Sequence, residues 1–356
     1  MPAESTRAAL FARYTQDFPV REELFLTMGD CRFCVRTNSR PLAGELRAYF
    51  APFLCAPAVP DIVVTALQTP EQDLGLVYEV KEPDSGKTKI KEEWVDIPGG
   101  RVIHKRLTGM VFVFGDGENL AVGDCEANPN QVVNFINNRF IEYKLGAGCL
   151  LAHAAGVAKN GRGIGMAGFS GMGKSTLALH LVSRGLTFVS NDRLLIAQSA
   201  PCPTMFGVAK HPRINPGTAL ANPDLAGIVA PEDTARFLAL PTDELWALER
   251  KYDALIDQIY GPDRFILHSP MDFLLLLNWH RDGSPTIIRE IRPADRHDLL
   301  AAFMKDTGLF FRTDSDYAPT VQDYVRALDG CRVFEASGGV DFDTAADFCL
   351  ELVNPA

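Results

Sequence analysis

The sequence predicts an α/β fold, and three stretches of the chain support that prediction. Residues 163–167 form a small apolar run, and residues 175–184 follow a glycine-rich turn and place apolar side chains at helical spacing. After Gly185, a typical helix stop, residues 186–190 again have the composition of a strand. The apolar run at residues 273–279 is typical of a central strand buried on both faces. Strands that alternate with helices in this way indicate an α/β protein.

The turn between the first strand and the helix carries the clearest motif. Residues 168–176 read G-F-S-G-M-G-K-S-T and match the phosphate-binding loop pattern G-x-x-x-x-G-K-[ST]. Glycines let the backbone curl so that successive amide groups point at an anion. We expect Lys174 to reach the β- and γ-phosphates of ATP, and Ser175 to bind Mg²⁺ through its hydroxyl. The residues expected to bind the nucleotide are Gly168, Ser170, Gly171, Met172, Gly173, Lys174, Ser175 and Thr176.

Asn191 and Asp192 follow the strand predicted at residues 186–190. A helix of about a dozen residues is long enough to connect two parallel strands, and ligands bind at the carboxyl ends of such strands. Asp192 is therefore expected near the phosphates, as a catalytic base or as a ligand of Mg²⁺. The alternative is that the two residues simply open a turn, for which both are well suited.

Residues 153–192 resemble the catalytic core of the HPr kinase/phosphorylase superfamily, and phosphoenolpyruvate carboxykinases share a distant version of that core. The resemblance is carried by residues 151–157, by the glycine loop and by residues 184–193. It implies a P-loop kinase domain of the HPr kinase/phosphoenolpyruvate carboxykinase-like type that uses ATP and Mg²⁺. It also implies a catalytic role for His153, whereas a histidine in an apolar strand is otherwise usually a core residue.

At two positions the chain departs from the bifunctional members of that family. They have Asp where this chain has Phe169, and an Asp pair where it has Asn191 and Asp192, so that only the second carboxylate is kept. The Glu-Ile-Arg-Gly segment of those members is also missing. The resemblance is therefore to the HPr kinase-related proteins of unassigned substrate, and it leaves the phosphate acceptor open.

Residues 201–217 are rich in proline and glycine and are predicted to form a loop. Lys210 and Arg213 lie in this segment. Two cations near a phosphate site can neutralise transferred charge or bind an acidic acceptor. The alternative is an ordinary solvent-exposed loop.

With 356 residues, the chain is long enough for two domains. We predict an amino-terminal accessory α/β domain at residues 1–130 and the P-loop kinase domain at residues 131–356. Strands are expected at residues 61–67 and 109–114, and a helix at residues 130–145 joins the two parts. The tail is expected to complete the kinase domain and to provide a contact for a homo-oligomer.

Composition limits the classes of partner. A net charge of −10 argues against binding to nucleic acid or to an anionic membrane surface. No apolar run reaches the roughly 18–20 residues that a membrane span needs, and the first residues lack the apolar core of a signal peptide. We expect a cytoplasmic protein.

The sequence predicts a kinase that transfers the γ-phosphoryl group of ATP to a hydroxyl, either a serine of a protein or peptide or a small metabolite. Its expected catalytic residues are Asp192, Lys174, His153, Lys210 and Arg213, with Ser175 and Asp192 as metal ligands. One alternative is a regulatory or scaffold protein that binds ATP without phosphotransfer. Another is carboxykinase-like chemistry, for which the His and Lys ligands of a second metal are not evident.

Overall fold

The computed structural model describes residues 6–82, 89–312 and 318–354 of the chain, which has a mixed α/β fold with several sheets. Contacts between Cα atoms divide it into two compact units, Met1–Tyr143 with Thr307–Asp316 and Lys144–Asp306 with Tyr317–Ala356. The boundary predicted between residues 130 and 131 stays a prediction.

The first unit is built on one sheet of eight strands in the order β1-β2-β3-β8-β7-β6-β5-β4. The third strand is parallel to both of its neighbours, and the other adjacent strands are antiparallel. Its helices and strands are α1 (Arg7–Asp17), β1 (Glu22–Met28), β2 (Cys31–Thr37), α2 (Arg40–Tyr49), β3 (Ile62–Gln68), β4 (Glu79–Val80), β5 (Glu92–Ile97), β6 (Gly100–Lys105), β7 (Met110–Gly115), β8 (Glu118–Gly123) and α3 (Pro129–Gly146), the last of which runs on into the second unit. The strands predicted at residues 61–67 and 109–114 and the helix predicted at 130–145 are confirmed as β3, β7 and α3.

The second unit contains a six-stranded, a four-stranded and a two-stranded sheet. Its elements are β9 (Leu150–Ala152), β10 (Ala154–Lys159), β11 (Arg162–Gly168), α4 (Lys174–Ser183), β12 (Thr187–Ser190), β13 (Leu194–Ala197), β14 (Thr204–Phe206), β15 (Arg213–Ile214), α5 (Pro216–Leu220), α6 (Pro231–Leu238), α7 (Thr242–Ala247), β16 (Tyr252–Asp253), α8 (Ile256–Tyr260), β17 (His268–Pro270), β18 (Phe273–His280), β19 (Thr286–Ile291), α9 (His297–Leu300), α10 (Val321–Ala327), β20 (Arg332–Gly339) and α11 (Phe342–Val353). The strand orders are β12-β10-β11-β18-β20-β19, β17-β14-β13-β9 and β15-β16.

The strand, glycine turn and helix predicted around residue 170 are confirmed as β11 and α4. Leu177, Ala178 and Leu181 are fully buried, because they lie on the face of α4 that packs on the six-stranded sheet. Gly185 adopts a φ of 95° directly after the helix, and the backbone N–H of Leu186 donates to the carbonyl oxygen of Leu181. This is the glycine-terminated helix end that the sequence predicts.

The strand predicted at residues 186–190 forms as β12, and it is separated from β11 by one strand. Strand β10 lies between them and pairs antiparallel with both, so β12 and β11 run in the same direction. Asp192 follows the carboxyl end of β12, as predicted from the sequence.

The prediction of a loop throughout residues 201–217 is wrong in part. Thr204–Phe206 is strand β14, paired on one side with β13 and on the other with β17. Arg213–Ile214 is strand β15, paired with Tyr252–Asp253. Strand β13 is close to β14 in sequence, but β17 and β16 are distant partners, and local composition carries no signal for pairing with them.

The apolar run at residues 273–279 forms β18, which lies between β11 and β20 and is parallel to both. Its side chains Leu274 and Leu276 share one apolar core with Leu194 and Met205 of the four-stranded sheet and with Phe303. This core fixes the strand ends that surround the glycine loop. Within the described residues, no helix has both the length and the apolar character needed to cross a membrane.

Candidate active site

A cavity of about 600 Å³ lies at the N-terminus of α4, inside the second unit. It brings together most of the residues that the sequence singles out: His153, Ser170, Gly171, Gly173, Lys174, Ser175, Thr176, Asp192, Lys210 and Arg213. Gly168 and Met172 lie in the same turn but do not line the cavity. Gly168 ends β11, and the carbonyl oxygen of Met172 accepts a hydrogen bond from Trp279 Nε1 at 2.9 Å.

The glycine loop has the backbone that an anion-binding turn requires. Gly171 and Gly173 have φ values of 83° and 84°, a region that side-chain-bearing residues rarely occupy. Nothing lies within 4 Å of a Cβ placed on Gly171, so the turn is open where a ligand would approach. Gly173 is the N-cap of α4, whose first amide groups and positive dipole end favour a bound anion.

Lys174 is buried at the first position of α4. Its ammonium group donates to the carbonyl oxygen of Gly168 at 2.6 Å and lies 3.4 Å from that of Phe169. Burial lowers its pKa, which the carboxylate of Asp192 partly offsets. The side chain therefore lies folded over the loop that it would serve as a phosphate ligand.

Asp192 forms a small cluster with His153 and Lys305. One carboxylate oxygen lies 2.9 Å from His153 Nε2, and the other lies 3.7 Å from Lys305 Nζ. Partial burial raises the pKa of Asp192, but the hydrogen bond to His153 and the charge of Lys305 outweigh it, and the pKa falls to about 2. The carboxylate is thus ionised at every pH at which the protein would work.

Backbone contacts between segments distant in sequence explain why Lys305 lies beside His153. His153 lies between β9 and β10, and its backbone N–H donates to the carbonyl oxygen of Phe303 at 2.7 Å. The next residue along, Met304, forms a β-bridge with Ala152. Lys305 is therefore brought beside His153 by the backbone, which a reading of local sequence could not reveal.

Lys210 and Arg213 both line the cavity, but their surroundings differ. Arg213 Nε lies 3.1 Å from a carboxylate oxygen of Asp253 on the paired strand β16. Lys210 is half-buried, and burial together with the charge of Arg193 lowers its pKa to about 8, although Asp192 acts in the opposite direction.

Positive charge dominates the cavity. Its charged lining residues are the cations Lys174, Arg193, Lys210, Arg213, Lys251 and Arg281 and the anions Asp192 and Glu249. The buried Oδ1 atoms of two further lining residues, Asn191 and Asn215, have no hydrogen-bond partner in the described part of the chain. Such a lining suits a polar, polyanionic ligand.

The residues present also fit Mg²⁺ in the form in which it accompanies a nucleotide. In the described ranges, no group of three or more His, Cys, Asp or Glu side chains could hold a metal ion alone. Mg²⁺ bound with phosphates usually needs only one or two protein oxygen ligands, because phosphate and water complete its octahedron. Ser175 and Asp192, both in the cavity, supply a hydroxyl and a carboxylate of this kind.

Several lining residues were not predicted from the sequence. The indole ring of Trp246 packs closely on the backbone of Gly217. A Cβ atom added at Gly217 would lie within 3.0 Å of this ring. Arg281 follows β18 and stands 5.5 Å from the centroid of that ring. The signal for Arg281 was its position after the central strand, at the same edge of the sheet as the glycine loop.

The chain matches no protein-family model, and no curated protein matches it. Among solved structures it is similar to one titled "Structure of the Hpr(Ser) kinase/phosphatase from Coxiella burnetii". The two are 12% identical, and the match covers 57% of this chain and 87% of that chain with a TM-score of 0.30. The function proposed for this chain therefore depends on the residues of its cavity.

Proposed function

We propose that the chain is an ATP- and Mg²⁺-dependent kinase of the HPr kinase-like P-loop type, which transfers the γ-phosphoryl group to a hydroxyl acceptor. The observation that supports this most is the meeting of a complete glycine loop with an ionised carboxylate in one cationic cavity. The loop alone would indicate nucleotide binding. The carboxylate after β12, which runs parallel to β11 but is separated from it by β10, adds a group that can act on the acceptor.

The loop residues would hold the nucleotide. The backbone amides around Gly171 and Gly173 and the start of α4 favour the β- and γ-phosphates, and Lys174 would exchange its two carbonyl partners for phosphate oxygens. Ser175 and Asp192 would hold Mg²⁺, which would neutralise part of the negative charge on the transferred phosphoryl group.

Asp192 would orient the acceptor hydroxyl and accept its proton as the new oxygen–phosphorus bond forms and ADP leaves. A carboxylate with a pKa of about 2 is a weak base. It suits a transition state in which the hydroxyl proton leaves late and positioning provides most of the rate. His153, hydrogen-bonded to Asp192, would fix the orientation of the carboxylate.

The rival proposal is an ATP-binding regulatory protein without phosphotransfer. Asn191 favours it, because an amide stands where a second carboxylate would otherwise act, and its Oδ1 has no partner among the described residues. Transfer of labelled γ-phosphate to any acceptor in an extract separates the two proposals.

Calorimetric titration with Mg·ATP tests the shared step. We expect the native protein to bind, and Lys174→Met to bind about tenfold to hundredfold more weakly, as for the loss of a charged hydrogen bond. Lys159→Met is the matched control, since Lys159 lies at the end of β10 and does not line the cavity. Equal affinity of native protein and Lys174→Met, with both folded by circular dichroism, would refute the proposal.

A further inference from the structure

Lys210 stands out among the cations of the cavity. The side chain is half-buried and faces the same space as the glycine loop and Asp192. Within residues 6–82, 89–312 and 318–354, no carboxylate oxygen lies within ion-pair distance of its ammonium group, and no hydrogen-bond acceptor contacts it. A cation removed from water without a partner costs free energy, which a bound anion would offset.

The backbone around Lys210 is held on both sides. The N–H of Gly207 donates to the carbonyl oxygen of Leu267 at 3.0 Å. The buried ring of His211 accepts from the backbone N–H of Ile256 at its Nδ1 atom, at 3.2 Å. Lys210 is therefore a positioned cation, not the end of a free loop.

Two other cations of the cavity already have polar partners. Lys174 donates to two loop carbonyl groups, and Arg213 pairs with Asp253. Asp192 lines the same cavity as Lys174 and Lys210, and its negative charge acts to raise the pKa of both lysines. A molecule whose hydroxyl meets Asp192 would have the ammonium group of Lys210 within reach of its remaining part.

We propose that the phosphate acceptor carries an anionic group, a carboxylate or a phosphate, a few bonds from its hydroxyl, and that Lys210 binds this group. The inference rests on the proposed function. It favours a hydroxy acid or a phosphorylated alcohol, or a serine beside an acidic side chain, over a neutral sugar or polyol. Charge pairing in a partly desolvated cavity provides the selectivity.

The test is calorimetry on the full chain saturated with Mg·ADP, so that the nucleotide occupies the glycine loop before any probe is added. The probes, at constant ionic strength, are glycerate, glycerol phosphate and glycerol, with a serine peptide carrying acidic neighbours and its neutral counterpart. We expect at least one anionic probe to bind and its neutral counterpart not to bind. Lys210→Met should weaken that binding about tenfold or more, Lys210→Arg should keep most of it, and Lys159→Met should leave it unchanged.

The outcomes separate cleanly. Preference for glycerate, glycerol phosphate or the acidic peptide identifies which source of negative charge the cavity accepts, and each of these supports the proposal. Equal binding of glycerol and the anions, unchanged anion affinity in Lys210→Met, or no binding by any probe would overturn it. Failure of the native protein to bind Mg·ADP in the first titration would instead overturn the proposed function, and it is seen before the probes are used.

Discussion

The glycine loop at residues 168–176 and the segment at residues 207–214 each present a lysine to the same cavity, and they do so differently. Lys174 belongs to one contiguous motif and keeps two carbonyl partners of its own turn. Lys210 belongs to an irregular segment fixed by contacts with residues distant in sequence, and it keeps no partner among the residues that the structure describes. Under the function proposed above, the loop would bind the nucleotide and the segment would bind the phosphate acceptor.

Replacing the carboxylate that acts on both lysines should have the largest effect. We expect Asp192→Asn to lower turnover about 10²-fold or more, because the amide neither takes a proton nor binds Mg²⁺ well. Affinity for metal-free ATP should change little, and Asp329→Asn on the exposed surface is the control. Steady-state ADP release measures the effect. Near-native turnover in Asp192→Asn would place the base elsewhere.

Two glycines of the loop provide a matched pair for stability. Gly171→Ala forces a left-handed φ on alanine and should cost about 1–2 kcal/mol in unfolding free energy. Gly173 has nearly the same φ, and the Cβ atom of Gly173→Ala would also lie 2.6 Å from Phe342 Cζ. We therefore expect Gly173→Ala to lower the free energy of unfolding by about 1–3 kcal/mol more than Gly171→Ala. Urea denaturation of both variants measures the difference. Equal midpoints would mean that the ring of Phe342 moves aside without cost.

The pH dependence should distinguish the segment from the loop. The charged groups that act on Lys210 are Arg193, Asp192, Arg213 and Asp253, and with burial they leave its pKa at about 8. If protonated Lys210 binds the acceptor, kcat/KM for the acceptor should fall about tenfold per pH unit above that value. Lys210→Arg keeps its charge and should remove this alkaline limb. A limb that persists in Lys210→Arg would belong to another group.

Lys305→Met should have the smallest effect. The ammonium group lies 3.7 Å from Asp192 and helps to lower the pKa of that carboxyl. Its loss should raise that pKa while leaving the carboxylate ionised at neutral pH, since the hydrogen bond to His153 remains. We expect turnover to fall only a few-fold, in line with the small worth of half-exposed ion pairs. The pH below which activity is lost should also rise. A hundredfold loss of turnover would instead show that Lys305 contacts the substrate.

The sequence predicts those parts of the site whose conformation depends on residues close together along the chain. The strand, loop and helix around residue 170 and the position of Asp192 follow from composition, spacing and turn residues. The pairing of Thr204–Phe206 with β17 and the approach of Lys305 depend on distant segments, for which composition holds no signal. The functional roles assigned to the cavity residues, and the domain boundary at residue 130, stay predictions.

Phe342 links the loop to the far end of the chain. Its ring touches the position of Gly173 and packs edge-on against Trp279. The helix that it begins is joined to α4 through Asp343, which forms an ion pair with Arg184 and a hydrogen bond with His180. A ribosome makes residues 168–176 long before it makes residue 342. The nascent chain therefore carries the whole motif before it carries Phe342, and the loop gains this contact only late in synthesis. A premature stop ahead of this helix would leave a recognisable motif on an unsupported turn.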